Sequence, residues 1–373
     1  MTADDGHADA ALVRNLRDAE RLLEAARRHD QAAIARFKWE HPGFRDLPLR
    51  SVRPDDLTLA DARRVVAGEE AFETWEALAS FVARPATDEA ARRFETAADA
   101  VVGGDSRGLE NCLREDPRLT AARSRRRHRA TLLHYLGANG VEGRRQRTSR
   151  EAPSIARQLL AAEADVNALA DFYGERYTTL SLVVSSAPLA KSGVQIPLVD
   201  VLLEHGAALK DPGTAWPSVA VTALVFGYLE AAKRLARHMG DVRDLITAAG
   251  LGRLEDVRRL LPSALPEQRH AALALAAQHN HAAIVELLLD SGEDPNRSNP
   301  KGYHAHATPL HQAALAGHEP VVRLLVERGA RVDIRDTIYE STPLQWAEHG
   351  GQISVARCLR SADDDGRPRE GLP

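Results

Sequence analysis

Residues 308–333, "TPLHQAALAGHEPVVRLLVERGARVD", hold two short helical patterns joined by a glycine and closed by a turn. Leu310, Ala313 and Ala314 mark one apolar face, and Val321, Val322, Leu324 and Leu325 mark a second. Gly317 separates the two helices. Gly329 falls where a helix C-terminus takes a left-handed residue, and "ARVDIRD" then leads out in extended form. The unit is helix, turn, helix, hairpin-like loop.

The unit recurs. "TPLQWAEHGGQISVARCLRS" opens at Thr342, 34 residues after Thr308, with Gly350, Gly351 and the apolar face Ile353, Val355 and Leu359. Upstream, "ALALAAQHNHAAIVELLLDSGEDPN" from Ala272 carries paired alanines, an apolar second helix and Gly292. The pattern TPLHxAA followed by GHxxVVxLLxxGAxVD resembles the ankyrin repeat, whose period is near 33 residues. Fainter copies start at Asp244, Val221, Thr178 and Thr131, and a degenerate one near Ala97, giving about eight units over roughly 94–362. Each helix pair has one apolar face and cannot bury it alone, so neighbours stack. The predicted fold is all-α: an ankyrin-repeat solenoid of helix-turn-helix units behind a small helical N-terminal module over 1–86. The acidic, Gly- and Pro-containing segment 363–373 reads as a disordered tail.

The N-terminal module has helical periodicity from Ala8 to Phe37 and again from Leu57, across a Pro-rich connector. It is similar to the helical leader of bacterial-type ankyrin proteins, with Phe72, Trp75, Leu78 and Phe81 at the matching positions. Read from the residues alone, those four at helical spacing form the core of a small bundle or cap.

A formal net charge of -4 with interspersed signs gives no broad pull toward nucleic acid or anionic lipid. Cys112 and Cys358 stand far apart without a CxxC, which signals neither a disulfide framework nor a cysteine zinc site and fits a reducing cytoplasm. No signal-peptide pattern opens the sequence, and no apolar run reaches the ~18 residues of a membrane helix. A cytoplasmic protein is expected.

No phosphate loop, GxSxG or HExxH is present, so no cofactor is expected. The resemblance implies that the histidines of the TxLH motif, His134 and His311, tie adjacent turns together by hydrogen bonds. "YHAHATPLH", with His304, His306 and His311, and "HNH" at 279–281 have ligand-like spacing, but a zinc site needs three or four converging ligands, and no metal is expected.

Two departures from the repeat carry the candidate sites. "VEGRRQRTSREAP" is inserted between the helices of the Thr131 unit, and "SSAPLAKSGVQIP" in the next; insertions of this kind map to one face of a solenoid. Arg144 and Arg145, with Arg147 and Arg150 and "RSRRRHR" at 123–129, form a basic patch that reads either as a solvated loop or as a surface for an anion or an acidic partner. Aromatic residues also fall at turn tips: Phe172 and Tyr173, Trp216, Tyr303 and Tyr339. Exposed aromatics at tips are interface anchors; rings packed flat on the next turn are core.

The primary reading is a protein-binding scaffold that holds a partner protein, of unspecified identity, through Tyr173, Trp216, Tyr303, Tyr339, Arg144 and Arg145 on the turn tips and concave face. The alternative is an enzyme or small-molecule site in the irregular 131–177 region. There Glu142 and Asp171 would be acid and base, Tyr135 or Tyr173 a proton donor, and His134 and Asn139 neighbours. No DNA-reading motif supports a nucleic-acid partner.

Overall fold

The computed structural model describes residues 3–83, 88–212, 214 and 216–366. The chain forms two compact units that divide between Ala215 and Trp216.

Unit 1 opens with four helices, α1 (Ala3–Arg27), α2 (Gln31–Glu40), α3 (Leu59–Glu69) and α4 (Trp75–Ala83). Thr58 starts α3 with a reciprocal cap: its hydroxyl accepts from the Asp61 N–H at 3.2 Å and the Asp61 carboxylate accepts from the Thr58 N–H at 2.9 Å. Arg36 of α2 grips Glu69 of α3 through two 2.7 Å hydrogen bonds. Leu22, Phe37, Val65, Phe72 and Leu78 are buried in one core, against which Trp75 and Phe81 pack half-buried. Phe72, Trp75, Leu78 and Phe81 therefore all serve this core. Residues 84–87, at the expected end of this module, lie outside the described residues.

Helix pairs follow: α5 (Glu89–Gly103) with α6 (Ser106–Glu115), then a 3-10 turn, Leu132–Gly137, with α7 (Ala152–Ala161). A hairpin of β1 (Ala170–Phe172) and β2 (Glu175–Tyr177) leads to α8 (Thr179–Val184), which pairs with α10 (Gln195–Glu204) across the extra helix α9 (Ala187–Ser192). The strands are antiparallel, with Ala170 opposite Tyr177, and Tyr173 and Gly174 take φ of 54° and 86° at the turn, the signature of a tight two-residue hairpin. The Thr131 unit opens with a 3-10 turn where an α-helix was expected. Ala138 turns left-handed at φ 44° straight after it, three residues before the inserted segment begins at Val141. Gly137 is required for close packing, since a Cβ there would lie 2.7 Å from the Leu182 side chain of the next pair.

Unit 2 holds the pairs α11 (Val219–Val225) with α12 (Leu229–Ala236), α13 (Leu245–Gly250) with α14 (Leu254–Leu260), and α15 (Pro266–Gln278) with α16 (Ala282–Asp290). They are followed by α17 (Pro309–Ala316) with α18 (Glu319–Glu327) and α19 (Pro343–His349) with α20 (Ile353–Gly366). First helices pack on first helices, α13 on α15, α15 on α17 and α17 on α19, and one apolar core runs through them from Val242 to Leu359. This is the stacking that one-faced helix pairs demand. Gly317 caps α17 at φ 78°, as its position in the quoted stretch predicts. The final helix runs to Gly366, so it continues past the expected start of the tail at 363; residues 367–373 lie outside the described residues.

The pairs are also stitched by polar ties. In each unit one asparagine bridges to the next pair: Asn167 takes the Gly206 carbonyl and the Ala208 N–H, and Asn296 takes the Gly329 carbonyl and the Arg331 N–H. The loop tips close alike, Ser124 N–H on Ala130 O and Asn299 N–H on Ala307 O, both at 2.8 Å. Adjacent tips join through Asp171 N–H on His128 O and Thr337 N–H on His306 O. In unit 1 the series continues backward, with the Arg127 N–H on Ala71 O at 3.1 Å, so the N-terminal module takes the place of a preceding tip. No helix among the described residues is long and apolar enough to cross a membrane.

Candidate functional site

The TxLH motif has one geometry in both units. The Nδ1 of His134 lies 2.8 Å from the Thr131 hydroxyl and accepts the Thr131 N–H at 3.2 Å; His311 repeats both distances with Thr308. An Nδ1 that accepts leaves the proton on Nε2, which reaches the Tyr177 carbonyl from His134 and the Ser341 carbonyl from His311. Burial holds His134 down to about 4 and also lowers His311, so each is a neutral tie between consecutive units. Three of the other spaced histidines are ties as well. His304 reaches the Val225 carbonyl, His281 that of Gly250 and His279 that of Leu224, all through Nε2.

The residue after the motif histidine differs between the units, and the difference decides where a site can be. In unit 1 it is Tyr135, buried, whose hydroxyl donates to Glu142 at 3.0 Å. Glu142 lies in the inserted segment, which turns inward and folds back onto α5 and the N-terminal module. Its carboxylate is paired with Arg126, with Arg145 at 3.6 Å and His128 at 3.5 Å, all of them buried. Arg126 also donates to the Glu70 carbonyl and Glu95, and it lies over the rings of Phe72 and Phe81. Arg145 donates to Glu95 and Asp99, both at 2.8 Å. Burial alone would raise the Glu142 carboxyl; the adjacent His128 imidazole and the charges of Arg126 and Arg145 outweigh it and hold it at about 2.

This cluster corrects two expectations. Arg145 is 2% exposed and spent on internal carboxylates, so it is not available to an outside anion. Arg144 stays part-exposed, 3.4 Å from Glu70. Arginines close in sequence gave no hint that Glu70, Glu95 and Asp99 fold onto them. The alternative catalytic set is not assembled either: Glu142 is fully buried and held as a carboxylate at neutral pH, while Asp171 is exposed on the hairpin beside Arg176 at 3.8 Å. His134 is committed at both nitrogens, burial pushes the Tyr135 hydroxyl up, and Asn139 bridges Tyr173 and Ser185.

In unit 2 the residue after the histidine is Gln312, and Trp346 takes the same place one repeat later. Both open onto a groove of about 530 Å³. Leu315 of α17 and Gln345 and His349 of α19 line its floor, and His304, His306, Tyr339 and Ser341 from two successive tips form its wall. Asp336 makes the second tip rigid, accepting from the N–H groups of Ile338, Tyr339 and Ser341 and from the Trp346 indole at 3.0 Å. Burial alone would raise the Asp336 carboxyl, but these hydrogen bonds hold it below its ordinary value. Trp346 stands 5.6 Å from His306 and 5.2 Å from His311, centroid to centroid, so the wall is a packed set of rings.

A family model of ankyrin repeats matches residues 273–367 in three copies. Cyclin-dependent kinase inhibitor 2A of Homo sapiens is 38% identical over 122 residues, 32% of this chain and 76% of that protein. Cyclin-dependent kinase 4 inhibitor B of Bos taurus is 33% identical over 130 residues, 34% and 96% of the two chains. The chain belongs to the ankyrin-repeat family. Ankyrin repeat and SAM domain-containing protein 6 of Mus musculus is 31% identical over 112 residues, 30% of this chain and 12% of that one.

Within this ankyrin array the four tip aromatics part company. Tyr173 and Tyr339 are exposed, at 70% and 47%. Trp216 is half-buried, edge-on to Phe226 at 6.5 Å and close over Gly302. Tyr303 is buried at 7% exposure, which corrects its reading as a tip anchor: the loop closed by Asn299 and Ala307 turns the ring inward, and burial raises its hydroxyl. Sequence reasoning missed Gln312, Gln345, Trp346 and His349. Their signal was available, since they occupy first-helix positions facing the tips in the two most regular copies.

Proposed function

We propose that this ankyrin array is a scaffold that binds a partner protein in the groove of unit 2, between the tip at Tyr339 and the helices α17 and α19. The observation that carries the reading is a preformed, ring-lined cavity on a tip held by four hydrogen bonds to the Asp336 carboxylate, which supplies aromatic contact area at little ordering cost. The relatives named as inhibitors of cyclin-dependent kinases support a protein as the ligand. Tyr173 and Arg144, both accessible, are secondary contacts in this reading, and the N-terminal module is the cap of the array over 94–362. A bacterial-type leader rests on Phe72, Trp75, Leu78 and Phe81 alone, because the relatives named above are eukaryotic. Two free thiols, Cys112 and Cys358, support a reducing cytoplasmic setting.

The test is affinity capture of the tagged full chain from its own cell extract, read by mass spectrometry, beside a Tyr339→Ala/His349→Ala variant. Proteins captured by the parent and lost from the folded variant are the expected result. Capture that survives both substitutions removes the groove from the reading.

A further inference from the structure

The groove has a chemistry that selects among protein ligands, and the inference drawn from it rests on the binding reading above. None of the nine side chains lining it is Asp, Glu, Lys or Arg. In a chain where roughly every fourth residue is charged, at 27%, this is a local exclusion of ionic partners. The rings present faces and edges to the cavity, because the Trp346 indole N–H is spent on Asp336 and the His304 Nε2 on Val225. Among the polar groups left over, Gln312 is the most enclosed of the glutamines. Gln312 is 6% exposed, lines the cavity, and among the described residues its carboxamide takes part in no hydrogen bond. Its amide atoms are not among the side-chain atoms sealed from solvent, so the carboxamide faces the open cavity and is free to bond an incoming ligand.

A carboxamide offers one acceptor and two donors. That set matches the N–H and C=O of a single residue in extended conformation, which point to the same side of a strand. The Gln345 carbonyl oxygen is occupied by the Thr342 cap at 2.9 Å, which leaves its NH2 facing the same groove. We infer that the occupant is an uncharged, extended peptide segment of the partner, with the N–H and C=O of one residue paired to the Gln312 carboxamide and an apolar ring side chain, aromatic or proline, against Trp346, His306 and Tyr339. Charged segments are disfavoured there because the groove offers no carboxylate, ammonium or guanidinium counter-ion while stripping water from the charge.

The experiment selects a randomised twelve-residue peptide library, displayed on phage, against the full chain. The selected peptides are then synthesised and titrated against the parent, Gln312→Leu, Gln312→Met and Tyr339→Ala. The expected consensus is a charge-free core with one ring side chain, binding about tenfold more weakly to both Gln312 variants at unchanged melting temperature, as loss of one peptide-pairing contact requires. Two apolar replacements guard against one that disturbs folding. A charged consensus that still depends on Tyr339, or full affinity for a folded Gln312 variant, overturns this inference and leaves the groove as an interaction site. Selection of no peptide that depends on Tyr339 overturns both readings.

Discussion

Tyr135 and Gln312 follow the same histidine of the same motif, yet one is sealed and the other is open. Around Tyr135 the inserted segment brings Glu142 and Arg145 inward, and the N-terminal module adds Glu70 and the rings that flank Arg126. Around Gln312 there is no insertion, and the space becomes the groove. The backbone ties are the same in both places, so the repeat sets the scaffold and the residues added between repeats decide whether its face is filled or free. In unit 1 the chain supplies its own occupant.

The sharpest way to break this comparison is to remove one member of the buried cluster. Arg126→Ala leaves Glu142 uncompensated and should destabilise unit 1 by about 3–5 kcal/mol, the range for breaking a buried ion pair. Urea unfolding would show an early transition for unit 1 with unit 2 retained. A loss below ~1 kcal/mol would mean that the cluster is solvated and the first face is not sealed.

Acid should separate the shared ties from the cluster. The unfolded chain protonates histidine near 6.5, whereas burial holds folded His134 at about 4, so the contribution of its neutral ring is full above 6.5 and is lost as pH falls toward 4. It amounts to roughly 3 kcal/mol at 1.36 kcal/mol per pK unit. Glu142 acts lower: its contribution is full above the ordinary value of 4.5 and is lost as pH falls toward about 2. Melting temperatures across pH 7 to 2 should fall in these two windows. Glu142→Gln should start lower at pH 7 and flatten the second.

The ties themselves should weigh the same in both units. His134→Ala and His311→Ala each strand a carbonyl and a threonine hydroxyl, and each should cost about 1–3 kcal/mol by denaturant unfolding. A large effect at only one of them would show that the common geometry is not a common role. Smallest in stability is Tyr339→Ala, within ~0.5 kcal/mol because the ring is half-exposed, while partner capture is lost. A large fall in melting temperature without loss of capture would make that ring a structural residue.

The repeat was legible because its determinants are local. Thr308 and His311 are three residues apart, Gly317 caps the helix between them and the second helix, and the apolar faces follow helical spacing. The buried cluster was not legible, because Arg126 meets Glu70 and Glu95 at separations of 56 and 31 residues and an arginine-rich stretch carries no sign of distant carboxylates. Tyr303 and Tyr339 looked alike as tip aromatics, and only the closure of each loop sets one ring inward and the other out. Only the Tyr339 edge of the groove was legible as a binding feature. Gln312 and Trp346 were hidden in plain helical positions whose meaning depends on what the next tip leaves open.

The most direct measurement places a photo-crosslinking amino acid at position 349, in the groove of unit 2, or at position 144, on the inserted segment of unit 1, and identifies the adducts formed in the native cell extract. Discrete protein adducts from 349 are predicted, with weaker ones from 144, the secondary contact. Adducts from 144 with none from 349 would contradict the assignment and move the binding face to unit 1.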